Sequence, residues 1–186
     1  MTTVHPVEAA ARDDGKFDRR AAIAAIARAI RRSDFGTGPL ASLRRNEPGT
    51  VLGQPAFHRL IADIPDDHLI GRQSRIRWAT VIHAMAIGAR LDEKLPDMKA
   101  GEALATAGVS EARFSKLLAS RDETFRHQVV LVARHVHGKN IGFDWRDFGE
   151  LVLVVDWNEA RAEMLRFNIA RDYYRAVDRL DAKKTA

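Results

Sequence analysis

Residues 122–138 read DETFRHQVVLVARHVHG, and the fold class turns on them. Val129, Val130, Leu131 and Val132 form a β-rich apolar run that a strand would accept. Phe125, Val129, Val132 and Val136 argue for a helix, because positions i, i+4, i+7 and i+11 share one helical face. Asp122 and Glu123 stand where a helix start favours negative charge, and Gly138 stands where helices stop. No segment alternates apolar and polar residues cleanly with period two, and no Asn-Gly hairpin turn occurs. With residues 122–137 helical, the chain reads as all-α.

The same periodicity extends in both directions. Towards the C-terminus, Asp144 is a candidate N-cap for WRDFGELVLVV, with Asp147 at the third helical position. A last long helix, about 157–180, repeats Leu165, Ile169, Tyr173, Val177 and Leu180 every three or four residues. Towards the N-terminus, EALATAG is followed by SEARFSKLLAS with Ser110 as N-cap. The charged stretch DEKLPDMKAGE, residues 92–102, is a link. Before it lies a long helix, about 71–89, with apolar stripes through Trp78, Ile82, Met85 and Ala89 and through Ile76, Ala79, His83 and Ile87. So broad an apolar surface implies a central helix. Two short helices precede it, one from Pro39 to near Asn46 and one about 54–63. The first helix spans about 17–33, with Ile23, Ile26 and Ile30 on one side. The expectation is a compact bundle of eight or nine helices. It has a flexible leader (1–16), an N-terminal half (17–92) and a C-terminal half (93–186), forming one compact unit.

Composition narrows the function. Of the chain's 186 residues 46% are hydrophobic, enough for a core, and no apolar run is long enough for a membrane span. The N-terminal residues lack a basic region followed by an apolar one, so the expectation is a cytoplasmic protein. No cysteine is present, which excludes disulfides, thiolate catalysis and Cys-type zinc sites. Of seven histidines, His135 and His137 lie two apart and point to different sides of a helix, and His83 sits on an apolar face as a core histidine. No HExxH, G-x-S-x-G or phosphate-loop pattern occurs. The carboxylates all have structural readings, in loops or at helix starts, so no enzyme, cofactor or metal is expected.

Arginine remains. The net charge is +5, and 23 of the 30 basic residues are arginine. A polyanion partner is the functional reading, while a biased genomic base composition would enrich alanine and arginine equally well. Arg44 and Arg45 close a two-turn helix anchored by Leu40 and Leu43. One cation there compensates the helix dipole. Two leave surplus charge for phosphate at an exposed corner. The stretch 103–125, ALATAGVSEARFSKLLASRDETF, also has the look of a helix-turn-helix, with Arg113 and Lys116 outward and Phe114, Leu117 and Leu118 inward. Trp145, Trp157, Tyr173 and Tyr174 are candidates for partner surfaces or for the core.

The order of LASLRRNEP, QPAFHRLI, a long helix ending AIGAR, GEALATAGVSEARFSKLLASRDETF, GFDW and RDYYRA resembles the small subunit of the type I-E CRISPR Cascade complex, the CasB family. The resemblance runs from about residue 38 to 180. It implies an all-helical, non-enzymatic subunit present twice per complex. Such a subunit packs against other Cascade subunits, beside the guide RNA backbone, and helps hold target DNA, including the displaced strand. The basic positions it implies are Arg44, Arg45, Arg72 or Arg75, Arg90, Arg113 and Arg121, and Lys116 joins them from the outward face of its helix. Two other readings stay open: a helix-turn-helix regulator of duplex DNA and a helical adaptor.

Overall fold

The computed structural model describes residues 17–185, so the leader, residues 1–16, lies outside the described residues. Ten α-helices are present, eight of them of at least seven residues, and there is no strand among the described residues. The chain divides into two compact units, residues 1–93 and 94–186.

In the first unit, α1 (Arg19–Arg31) starts at Asp18, whose carboxylate accepts from the N–H groups of Arg20 and Ala21. Ile23, Ile26 and Ile30 are buried, as their spacing requires. The second helix, α2 (Thr37–Arg45), begins two residues before Pro39. Gly36 makes this possible: it holds φ +84°, and its carbonyl accepts from the Leu40 N–H. Pro39 then sits in the first turn, where its missing N–H has no partner to lose.

A four-residue helix, α3 (Pro48–Val51), was not expected. It has one buried apolar side chain, Val51, and so no periodic signal. Next come α4 (Pro55–Leu60) and a short 3₁₀ turn at residues 66–68. Every residue of α5 (Gly71–Gly88) from Trp78 to Ile87 is buried, and α1, α2 and α3 pack on it. Its first turns are not covered, which leaves Arg72 and Arg75 exposed.

The second unit is built on α10 (Glu159–Thr185), with α6 (Ala100–Thr106) and α9 (Trp145–Val154) against it. The small residues of α6 let the backbones meet. A Cβ on Gly101 would lie 2.1 Å from the Ile169 carbonyl oxygen and 2.7 Å from the Tyr173 nitrogen. The remaining helices are α7 (Glu111–Ala119) and α8 (Asp122–Gly138). Phe125, Val129, Val132 and Val136 are all buried along α8, and Leu131 faces out. The helical reading of the β-rich run is therefore correct. Asp144 caps α9 by accepting from the Arg146 N–H at 2.9 Å.

Two buried polar links tie α7 and α9 to α10. The Tyr173 hydroxyl donates to the Val109 carbonyl at 2.7 Å, and its ring lies flat on Phe114 with centroids 3.9 Å apart. Arg161 grips the buried Glu150 carboxylate with two of its nitrogens, Nε and Nη2, at 2.8 and 2.5 Å. Trp145 and Tyr173 belong to the core, whereas Trp157 and Tyr174 are exposed.

Candidate nucleic-acid interface

The five predicted cations of the first unit do not form one cluster. Arg44, Arg45 and Arg90 gather where α2 and α5 end. Arg72 and Arg75 lie at the other end of α5, about 25 Å away at 1.5 Å per residue. Arg75 donates from Nε back to the Gly71 carbonyl and keeps its guanidinium in solvent.

The paired arginines have different tasks. Arg44 is half-buried, not at an exposed corner as expected. Its Nε donates to the Ala86 carbonyl at 2.7 Å, and a second guanidinium nitrogen donates to the Ala89 carbonyl. Ala86 is in the last turn of α5 and Ala89 is its C-terminal cap. Carbonyls at a helix C-terminus carry partial negative charge, and that of Ala86 also accepts from the Ala89 N–H at 3.3 Å. Arg44 thus caps a neighbouring helix. Burial, and secondarily the charge of Arg90, hold its pKa below the usual arginine value. In return His83, fully buried on α5, bonds from Nδ1 to the Leu43 carbonyl of α2 at 2.7 Å. Arg45, one residue on, is exposed and among the described residues bonds to the Ala41 carbonyl of its own helix. Arg90 is exposed too. Arg45 and Arg90 are therefore the cations this corner presents outward.

In the second unit, α6 and α7 are joined by a turn in which Gly108 takes φ +75°. Phe114 and Leu117 face inward and Leu118 is half-buried, while Arg113 and Lys116 are exposed. Neither makes an ion pair among the described residues. Arg121 differs. One of its nitrogens donates to the carbonyls of Leu118, Ala119 and Ser120, each at 3.1 Å, and another meets Glu159 at 3.2 Å. It caps α7 and ties it to the start of α10. Its charge is internally compensated.

Sequence reasoning passed over further exposed arginines, among them Arg28, Arg134, Arg171 and Arg175. Only a three-dimensional count of neighbours separates these from Arg31 and Arg166, which are buried. No three His, Asp or Glu side chains among the described residues gather as a metal site. No described helix is long and apolar enough to cross a membrane.

Comparison with known proteins agrees with this architecture. The fold is similar to that of a chain in the crystal structure of E. coli Cascade bound to a PAM-containing dsDNA target. The TM-score is 0.59 at 20% identity, covering 84% of this chain and 96% of that one. No curated protein matches. Residues 39–174 match the family model of CRISPR-associated protein Cse2. That stretch runs from α2 into α10 and takes in both units, so the chain belongs to the CRISPR-associated Cse2 family.

Proposed function

We propose that this chain is a non-catalytic, nucleic-acid-holding subunit of the RNA-guided surveillance complex Cascade, working in the cytoplasm in antiviral defence. The reading is carried by exposed cations without carboxylate partners among the described residues: Arg72 and Arg75 on α5, and Arg113 and Lys116 on α7. Arg45 and Arg90 add exposed charge where α2 and α5 end. Family membership and the fold shared with a Cascade chain support the same assignment. The ligands are the phosphate backbones of guide RNA and target DNA, including the displaced strand. The protein partners are the other Cascade subunits and a second copy of this chain. In RNA-guided recognition base pairing reads the sequence, and protein–backbone contacts tip a nearly balanced strand exchange. Arg44 and Arg121 serve this function by holding the helix ends that carry the other cations.

Fluorescence anisotropy with unrelated single-stranded and duplex oligonucleotides across a salt series tests the proposal. Binding should be independent of sequence and fall with salt, at a log–log slope of about −0.7 per single-strand phosphate contacted. Replacing Arg72 and Arg75, or Arg113 and Lys116, by alanine should reduce that slope. Unchanged slopes in both double variants would overturn the assignment of these residues. Preference for one duplex sequence would instead make α7 a recognition helix.

A further inference from the structure

The outward face of α10 carries exposed aromatic and apolar side chains that neither the core nor the cation sites use. At 100° per residue, Met164, Phe167, Arg171, Tyr174 and Arg175 fall within an arc of about 100°. The opposite side, Ala162, Leu165, Ile169, Tyr173 and Ala176, is buried. Phe167 is 65% exposed, and the Arg171 guanidinium carbon lies 5.9 Å from its ring centroid, at the limit of cation–π contact. Tyr174 is 40% exposed and fixed in place. Its hydroxyl donates to Glu111 at 3.0 Å, and its ring meets Phe114 and Tyr173 edge-on.

Arg171 and Arg175 put positive charge on this face, and the Glu111 carboxylate is held at the Tyr174 hydroxyl. Other nearby acids are engaged elsewhere: Glu159 and Glu163 by Arg121 and Arg166, and Asp172 by Lys99. Arg171 and Arg175 have no carboxylate partner among the described residues. Asp178, one turn beyond, is exposed and forms no ion pair with Arg175.

We infer that this face is a base-stacking platform for single-stranded nucleic acid. One base lies on Phe167, a second meets Tyr174 about 10 Å further along the helix, and Arg171 and Arg175 take the adjoining phosphates. Aromatic rings interleaved with arginines are the elements of sequence-tolerant single-strand binding. Five side chains on one convex helix fall well short of the roughly 20–30 residues a side of a standard protein interface. A flexible strand, by contrast, can follow a ridge. The inference takes its ligand class from the function proposed above and adds contact with bases to contact with phosphates.

The test uses the full chain and two oligonucleotides of equal length and charge, one of thymidines and one abasic. Wild type should prefer the thymidine strand by on the order of tenfold or more. Phe167→Leu, which keeps an apolar side chain and removes the ring, should abolish most of that preference and leave the salt slope unchanged. Phe167→Trp should retain it. Equal affinity of wild type for both strands would overturn the platform while leaving the phosphate-holding function intact. Binding of neither strand would overturn both. A Phe167→Leu protein that keeps the base preference, or that changes only in its assembly with other proteins, would make this face something other than a stacking site.

Discussion

The Arg44 guanidinium lies 2.7 Å from the carbonyl oxygen of Ala86, forty-two residues later in the chain. With the bond to Ala89 it neutralises the C-terminal end of α5, and it gives Arg44 and Arg45 opposite expected behaviour. Arg44→Ala should lower stability by about 1.5–3 kcal/mol, the range for hydrogen bonds to a charged group. Arg45→Ala should stay within about 0.5 kcal/mol of wild type. Salt-dependent oligonucleotide binding should show the reverse, with Arg45→Ala reducing the slope. Equal denaturation midpoints for the two variants would contradict the division of labour.

Gly101 is where α6 meets α10. Any side chain there meets backbone, at Ile169 and Tyr173, and backbone cannot rotate away. Gly101→Ala should therefore destabilise by about 1–3 kcal/mol or more, as overpacking does, despite alanine's better helix propensity. A variant with wild-type thermal stability would show that the two helices separate at little cost.

Arg161 and Glu150 form a two-pronged pair in which the carboxylate side chain is 7% exposed. Removing the arginine leaves a buried charge unpaired, so Arg161→Ala should cost about 3–5 kcal/mol. The double change Arg161→Met with Glu150→Leu should recover much of that loss. Urea midpoints of the two variants measure it, and a double variant no more stable than the single one would refute the account.

His68 supplies a pH dependence. Arg19 donates to its Nδ1 at 3.2 Å, the Phe17 ring lies tilted against it with centroids 4.4 Å apart, and Asp67 lies 3.7 Å from Nε2. Burial and the Arg19 charge hold its pKa below the usual 6.5, against the pull of Asp67. Between the folded value and 6.5 the unfolded chain binds a proton that the folded chain does not. Stability from this group is therefore full above 6.5 and lost as pH falls through that window. Melting temperatures at about pH 7.5 and pH 5 should differ more for wild type than for His68→Gln. Equal differences would remove His68 as the cause.

Local patterning was enough to specify which segments are helical. The stripes through Ile23, Ile26 and Ile30, through Phe125 to Val136, and through Leu165 to Tyr173 are all buried where their spacing places them. Asp18 and Asp144 act as caps because a short carboxylate beside a helix start has nearby N–H groups to accept from. Helix α3 escaped because one buried valine has no period. The outward positions of Arg113 and Lys116 were also legible, since each lies off the apolar stripe of its own helix, whereas Arg72 and Arg75 continue the apolar stripes of α5 and are exposed because no other described element covers its first turns.

What the sequence by itself determined is the helical class and the face each helix buries, because those follow from contacts within a few turns. Only the tertiary structure decided which cations remain available. Arg44 and Arg121 carry the same sequence signal as Arg45 and Arg113, yet their guanidiniums are taken up by carbonyls and carboxylates of other elements. A charge is free or engaged according to neighbours that arrive from distant parts of the chain, and that choice leaves no periodic trace in its own segment.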